Sequence, residues 1–131
     1  MIYSKEVHLG EDKVLAFAAL TGDVNRIHLD AKYAATTKFK RPIVHGMLVS
    51  AFISPCLVEA FGDGTIYAGQ CVQFMKPVYV GDFVIIEFSN LVNVKNNKVQ
   101  HVNTNIFSAV NGIKDILVIT GQASFIHAKA L

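Results

Sequence analysis

The sequence predicts an α+β domain in which an antiparallel sheet wraps around one long helix. Three observations carry that prediction. Residues 47–61 supply Met47, Leu48, Val49, Ala51, Phe52, Ile53, Leu57 and Val58, apolar side chains on every side of a helix. A helix of that kind is expected to be buried all round. The second half then turns to segments rich in Val, Ile, Phe and Thr, at 66–74, 83–94, 99–110 and 113–127, the composition of strands. The gaps between these segments are turn signals. The strongest is Asn111-Gly112, since both residue types tolerate the positive φ of a tight hairpin. A helix followed by an antiparallel meander is an α+β pattern.

The elements follow in chain order. Ile2, Val7 and Leu9 suit a weak first strand. Glu11-Asp12 precedes Val14, Leu15, Phe17, Ala18 and Leu20, an amphipathic pattern with acidic residues at the positive end of the helix dipole. Gly22 marks its end. Asp30 is placed to cap a second short helix over 31–36. The apolar helix contains Pro55, which removes one helical hydrogen bond, so a kink or a looser turn is expected there. Gly62-Asp63-Gly64 ends it. Val80-Gly81-Asp82 and Asn96-Asn97 supply further turns between strands. No repeat, low-complexity tract or linker divides the 131 residues, so one domain over 1–131 is expected.

Composition narrows the function classes. Apolar residues make up 52% of the chain and charged residues 17%, ample for a core and unlike a disordered chain. The net charge is +2, with lysines scattered rather than striped, so nucleic-acid binding is not expected. The longest mainly apolar run, at 47–58, is too short to span a bilayer. The N-terminus lacks a signal-peptide pattern, and Cys56 and Cys71 form no CxxC pair. A soluble, cytoplasmic protein with reduced thiols is the expectation, with a processed mitochondrial matrix protein as the alternative. The five histidines show no HxH or HExxH spacing, so no metal site is predicted.

Two segments carry candidate chemistry. In Gly22-Asp23-Val24-Asn25-Arg26-Ile27-His28, a carboxylate and an imidazole lie five residues apart, with turn formers between them. A loop there can bring both groups to one side and hold a single water. One group accepts its proton while the other delivers one, which is what hydration of a C=C bond needs. Arg41-Pro42-Ile43-Val44-His45-Gly46-Met47 ends at the start of the apolar helix. Backbone N–H groups there sit at the positive end of the dipole. Gly46 has no Cβ, so a ligand can come close, and a thioester oxygen gaining enolate charge would be stabilised. His45 is read as fixing the loop at the helix start. Lys38, Lys40 and Arg41 form a small basic group suited to CoA phosphates.

These segments, with Ile66-Tyr67-x-Gly69-Gln70, resemble the MaoC-like (R)-specific enoyl-CoA hydratases, whose motif core is Gly-Asp-x-Asn-Pro-x-His. The resemblance covers residues 17–125. It implies a hot-dog fold, a homodimer, an acyl-CoA or acyl-carrier-protein thioester as partner, and no metal or redox cofactor. It also implies that Asp23 and His28 are the catalytic pair, that the Gly46 N–H binds the thioester oxygen, and that Asn25 and Ser54 belong to the substrate pocket. The motif's proline is Arg26 here; proline would stiffen this loop and arginine does not. An acyl-carrier-protein dehydratase needs the same residues. A hot-dog thioesterase and a non-catalytic acyl-thioester binder are the rival readings on this fold.

Overall fold

The computed structural model describes residues 1–93 and 97–131. Five strands, β1 (Tyr3–His8), β2 (Ile66–Phe74), β3 (Phe83–Asn93), β4 (Val99–Val110) and β5 (Ile113–Ile126), form one antiparallel sheet in the order β1-β3-β4-β5-β2. Five helices precede β2: α1 (Glu11–Thr21), α2 (Arg26–Leu29), α3 (Ala31–Ala35), α4 (Gly46–Ala51) and α5 (Ile53–Phe61). This is the hot-dog arrangement, a sheet curled against a central helical segment.

Local signals set most boundaries. Gly22 adopts φ 80° and its N–H donates to the Ala18 carbonyl at 2.9 Å, closing α1 as a left-handed glycine does. The Asp30 carboxylate accepts from the Tyr33 N–H at 3.0 Å, capping α3. Asn111 and Gly112 take φ 53° and 78° between β4 and β5, the paired positive values of a two-residue hairpin turn. Asn97 accepts from the Val99 N–H at 3.0 Å ahead of β4; Asn96, its expected turn partner, and Val94 lie outside the described residues. Asn90, at φ 55°, sits where the β3–β4 register shifts between Ser89 and Val92, a bulge that local pattern did not announce.

The apolar helix departs from its expectation in two ways. It is two segments, broken at Phe52, whose N–H reaches back to Val49 at 3.3 Å. Pro55 offers no N–H to the Ala51 carbonyl four residues earlier, and its ring crowds that carbonyl, so the break falls one turn upstream of the proline. It is also buried on one face only. Leu48, Val49, Ile53, Cys56 and Leu57 are buried, whereas Met47, Ala51, Ser54, Pro55 and Val58 are exposed. A single sheet covers one side of a helix, and among the described residues nothing covers the other.

The core lies between that buried face and the sheet. Ile53 and Leu57 share one buried cluster with Ile86, Phe88, Ile106 and Phe125, all fully buried. Phe61 stacks on Phe125 with ring centroids 4.3 Å apart. Burying each such side chain contributes about 1.5–3 kcal/mol. No helix among the described residues is long and apolar enough to cross a membrane.

Candidate active site

The loop after α1 is held by a short ladder of side-chain acceptors. The Thr21 hydroxyl takes the Asp23 N–H at 3.2 Å, the Asp23 carboxylate takes the Asn25 N–H at 3.4 Å, and the Asn25 side chain takes the Ile27 N–H at 3.2 Å. The last of these caps α2, a single turn too short for hydrophobic periodicity to reveal. Arg26 is its first residue. The N–H at that position has no intrahelical partner, so replacing the motif's proline costs no hydrogen bond. The Arg26 guanidinium lies over the Tyr33 ring, 4.1 Å from its centroid.

α2 projects His28 toward the segment leading into α4. His28 Nδ1 lies 2.7 Å from the Ile43 carbonyl oxygen. A carbonyl only accepts, so Nδ1 carries the proton and Nε2 is left with a free lone pair. Burial pushes the His28 pKa below the ordinary 6.5; the Ile43 bond opposes that, His45 adds to it, and Asp23 opposes it. The His45 ring lies 3.9 Å from that of His28 at 30°, and its Nε2 donates to the Asp23 backbone carbonyl at 3.0 Å. One carboxylate oxygen of Asp23, one nitrogen of His28 and one of His45 lie within 4.8 Å of one another. That convergence suits one water or a small cation. It does not show as spacing along the chain, because Asp23 and His45 are 22 residues apart. Each imidazole has already committed one nitrogen to a carbonyl.

His28 borders a cleft of about 590 Å³ whose wall also includes Gly46, Val49, Phe74 and Ile119. This part of the wall is apolar apart from the imidazole, as an acyl chain needs. Lys38 and Lys76 line the same cleft. Gly46 is the first residue of α4, and a Cβ there would stand 2.9–3.0 Å from the Phe74 ring. Phe74 is half exposed, so its ring can yield, but only by shifting within the cleft. Gly46→Ala is therefore expected to fold normally and to lose about 10-fold or more in kcat/KM, measured by steady-state kinetics beside a melting curve.

The other residues singled out in the sequence are placed as follows. The Asn25 side chain is engaged in capping α2. Ser54 lies on the exposed side of α5, away from the cleft lining. Of the basic group, Lys38 lines the cleft; Lys40 has φ 70° at the turn after α3, and the Arg41 guanidinium covers the Tyr79 ring at 4.0 Å. Lys76 and Phe74 were not singled out. Alternation along β2 could have pointed Phe74 inward with Val72, whereas nothing in the sequence pairs Lys76 with Lys38.

A hot-dog sheet with a carboxylate–imidazole pair beside an apolar cleft defines a class of thioester-handling proteins. Comparison with known proteins narrows it: the chain belongs to the MaoC-like domain family, whose model matches residues 1–111. It is 42% identical over 115 residues to the (R)-specific enoyl-CoA hydratase of Aeromonas caviae, covering 87% of this chain and 83% of that one. It is 32% identical over 117 residues to a mitochondrial 3-hydroxyacyl-[acyl-carrier-protein] dehydratase of Arabidopsis thaliana, covering 88% and 68%. Among solved structures, the (R)-hydratase from A. caviae involved in PHA biosynthesis superposes with a TM-score of 0.84 at 39% identity, over 95% of this chain and 92% of that one.

Proposed function

We propose that the protein is a hydro-lyase that adds water reversibly to trans-2-enoyl-CoA, giving (R)-3-hydroxyacyl-CoA. The observation that carries this reading is the convergence of the Asp23 carboxylate and the His28 imidazole beside an apolar cleft, in a chain so similar to an (R)-specific hydratase.

In this mechanism the acyl chain lies against Val49, Phe74 and Ile119, with the thioester oxygen toward the Gly46 N–H. A water rests between Asp23 and His28. As its oxygen attacks C3, the pair takes up one proton; the same pair returns one proton to C2 from the same face. The proton count closes without an external acid, and the reading calls for no metal or redox cofactor. The (R) outcome follows from the relatives' stereochemistry.

Acyl-carrier-protein thioesters are the second reading, favoured by the similarity to the plant dehydratase. Lys38 and Lys76 line the cleft and are the side chains here to meet CoA phosphates; Lys40 and Arg41 are not among its lining residues. Lys38→Ala/Lys76→Ala is expected to raise KM for crotonyl-CoA about 10-fold, more at low salt, with kcat unchanged. An unchanged KM would remove both lysines from the phosphate site.

A homodimer is part of the same reading. β2 is an open sheet edge, and Met47, Val58, Ile66 and Phe74 are exposed apolar side chains on or near it and on the uncovered helix face. Two free cysteines suit a reducing, cytoplasmic compartment. Light scattering of the purified protein tests the dimer.

The deciding experiment is loss of crotonyl-CoA absorbance, with chiral analysis of the product. Conversion to the (R)-3-hydroxy thioester supports the reading. Release of free CoA from a saturated acyl-CoA would favour a thioesterase, and binding without turnover of CoA and carrier-protein substrates alike would leave an acyl-thioester binder.

A further inference from the structure

His45 is an expensive residue where it stands. Its side chain is 2% exposed, and with Nε2 given to the Asp23 carbonyl, Nδ1 is buried without a hydrogen-bond partner among the described residues. An unmade bond of that kind is destabilising, and an apolar ring of similar shape would avoid it. Although His45 occupies the cap position of α4, its side chain makes no capping bond. Stability of its own helix therefore does not explain it.

What the imidazole does is join three pieces of the site. Its edge donates to the main chain of Asp23, one face lies on His28 at 3.9 Å, and Phe17 of α1 packs 4.8 Å away. The remaining hydrogen bonds of the 22–25 loop among the described residues are local, reaching at most four residues along the chain. The His45 bond alone ties this loop to the segment that carries Gly46. Asp23 itself is exposed, so without that bond its carbonyl is free to turn out to water, taking the carboxylate with it. His28 is separately anchored: its ring holds the Ile43 carbonyl at 2.7 Å, and the Ile43 N–H donates to the Ile27 carbonyl at 3.1 Å.

We infer that His45 is a positioning residue for the hydration: its Nε2–H fixes the Asp23 main chain while its ring face sets His28, so that both groups meet one water. This rests on the function proposed above. His45 does not touch substrate. It should act on kcat and leave KM nearly alone.

Two variants separate its parts. His45→Phe keeps a flat ring against His28 and removes the donor; His45→Gln keeps a donor of similar reach and removes the ring. With crotonyl-CoA, His45→Phe is expected to lose about 10²-fold in kcat, the scale of a misplacement near 1 Å, with KM within about 3-fold of wild type. His45→Gln should recover at least about 10-fold of that loss. Wild-type kcat in His45→Phe, or a folded His45→Gln no better than His45→Phe, would overturn the inference. If His45→Phe does not fold, His45→Gln alone decides: retention of kcat within about 10-fold of wild type supports the role, and loss as complete as in Asp23→Asn overturns it. Wild type and Asp23→Asn run alongside keep the two ideas apart. An inactive wild type sinks the hydratase reading; an active wild type with a dead Asp23→Asn and an unaffected His45→Phe sinks only the role of His45.

Discussion

Asp23→Asn and His28→Ala are each expected to lower kcat/KM for enoyl-CoA hydration by about 10³-fold or more, the range that removal of a positioned acid–base group produces. Both proteins should fold. Asp23 is exposed, and its carboxylate makes one long bond, 3.4 Å to the Asn25 N–H, which an amide oxygen can also accept. His28 is half-buried, and its loss frees the Ile43 carbonyl, at a cost of about 1–3 kcal/mol. The double variant should be little worse than either single one, because two groups that hold one water act as a unit. The pH profile adds an independent check. Nε2 accepts only while the imidazole is neutral, and burial pushes its pKa below 6.5. Activity should therefore persist below pH 6.5 and fall only as acid protonates the ring. A limb centred above 6.5, or full activity in either single variant, would remove His28 and Asp23 from the chemistry.

The parts of the fold legible in the sequence are those fixed by local chemistry. Gly22, Asp30 and Asn111-Gly112 each set a boundary through their own φ or their own side chain, and the strands announce themselves by β-branched and aromatic residues. Pro55 likewise announces a break, which falls at Phe52 because proline acts on the turn before it. What escaped depends on distant residues meeting. The apolar run at 47–61 reads as buried all round, yet only one sheet face is available to cover it, so Ser54 faces outward in the chain. Asp23 and His28 are near neighbours in sequence and were found together. His45 reaches them from another segment, and Lys76 comes to the same cleft as Lys38 by way of the β2 edge. No periodicity encodes such meetings. Composition alone also hides that His45 has a buried lone pair with nothing to bond among the described residues.

Gly121→Ala is expected to destabilise the fold by about 3 kcal/mol or more, among the larger effects of a single methyl group. Gly121 lies on β5 opposite Val72 of β2 and Thr104 of β4. A Cβ there would stand 2.0 Å from the Cys71 carbonyl oxygen and 3.0 Å from its carbon. These are backbone atoms of the neighbouring strand, so no rotamer change relieves the clash; β2 must move away from β5. The same methyl would come 3.1 Å from Gln70 Nε2, which donates to the Thr104 hydroxyl at 2.9 Å and to the Cys71 carbonyl at 2.7 Å. Thr104 is fully buried, so displacing Gln70 leaves a polar atom unpaired in the core as well. For a chain of this length the melting temperature should fall by about 10 °C. Gly69→Ala is the control, because its Cβ would meet Ser124 at an ordinary 3.8 Å, and it should melt like wild type. Below its melting point Gly121→Ala should still be impaired in hydration, since β2 carries Phe74 into the cleft beside Gly46. A Gly121→Ala protein that melts with wild type would show that β2 need not approach so closely, and the tie between this sheet edge and the substrate cleft would go with it.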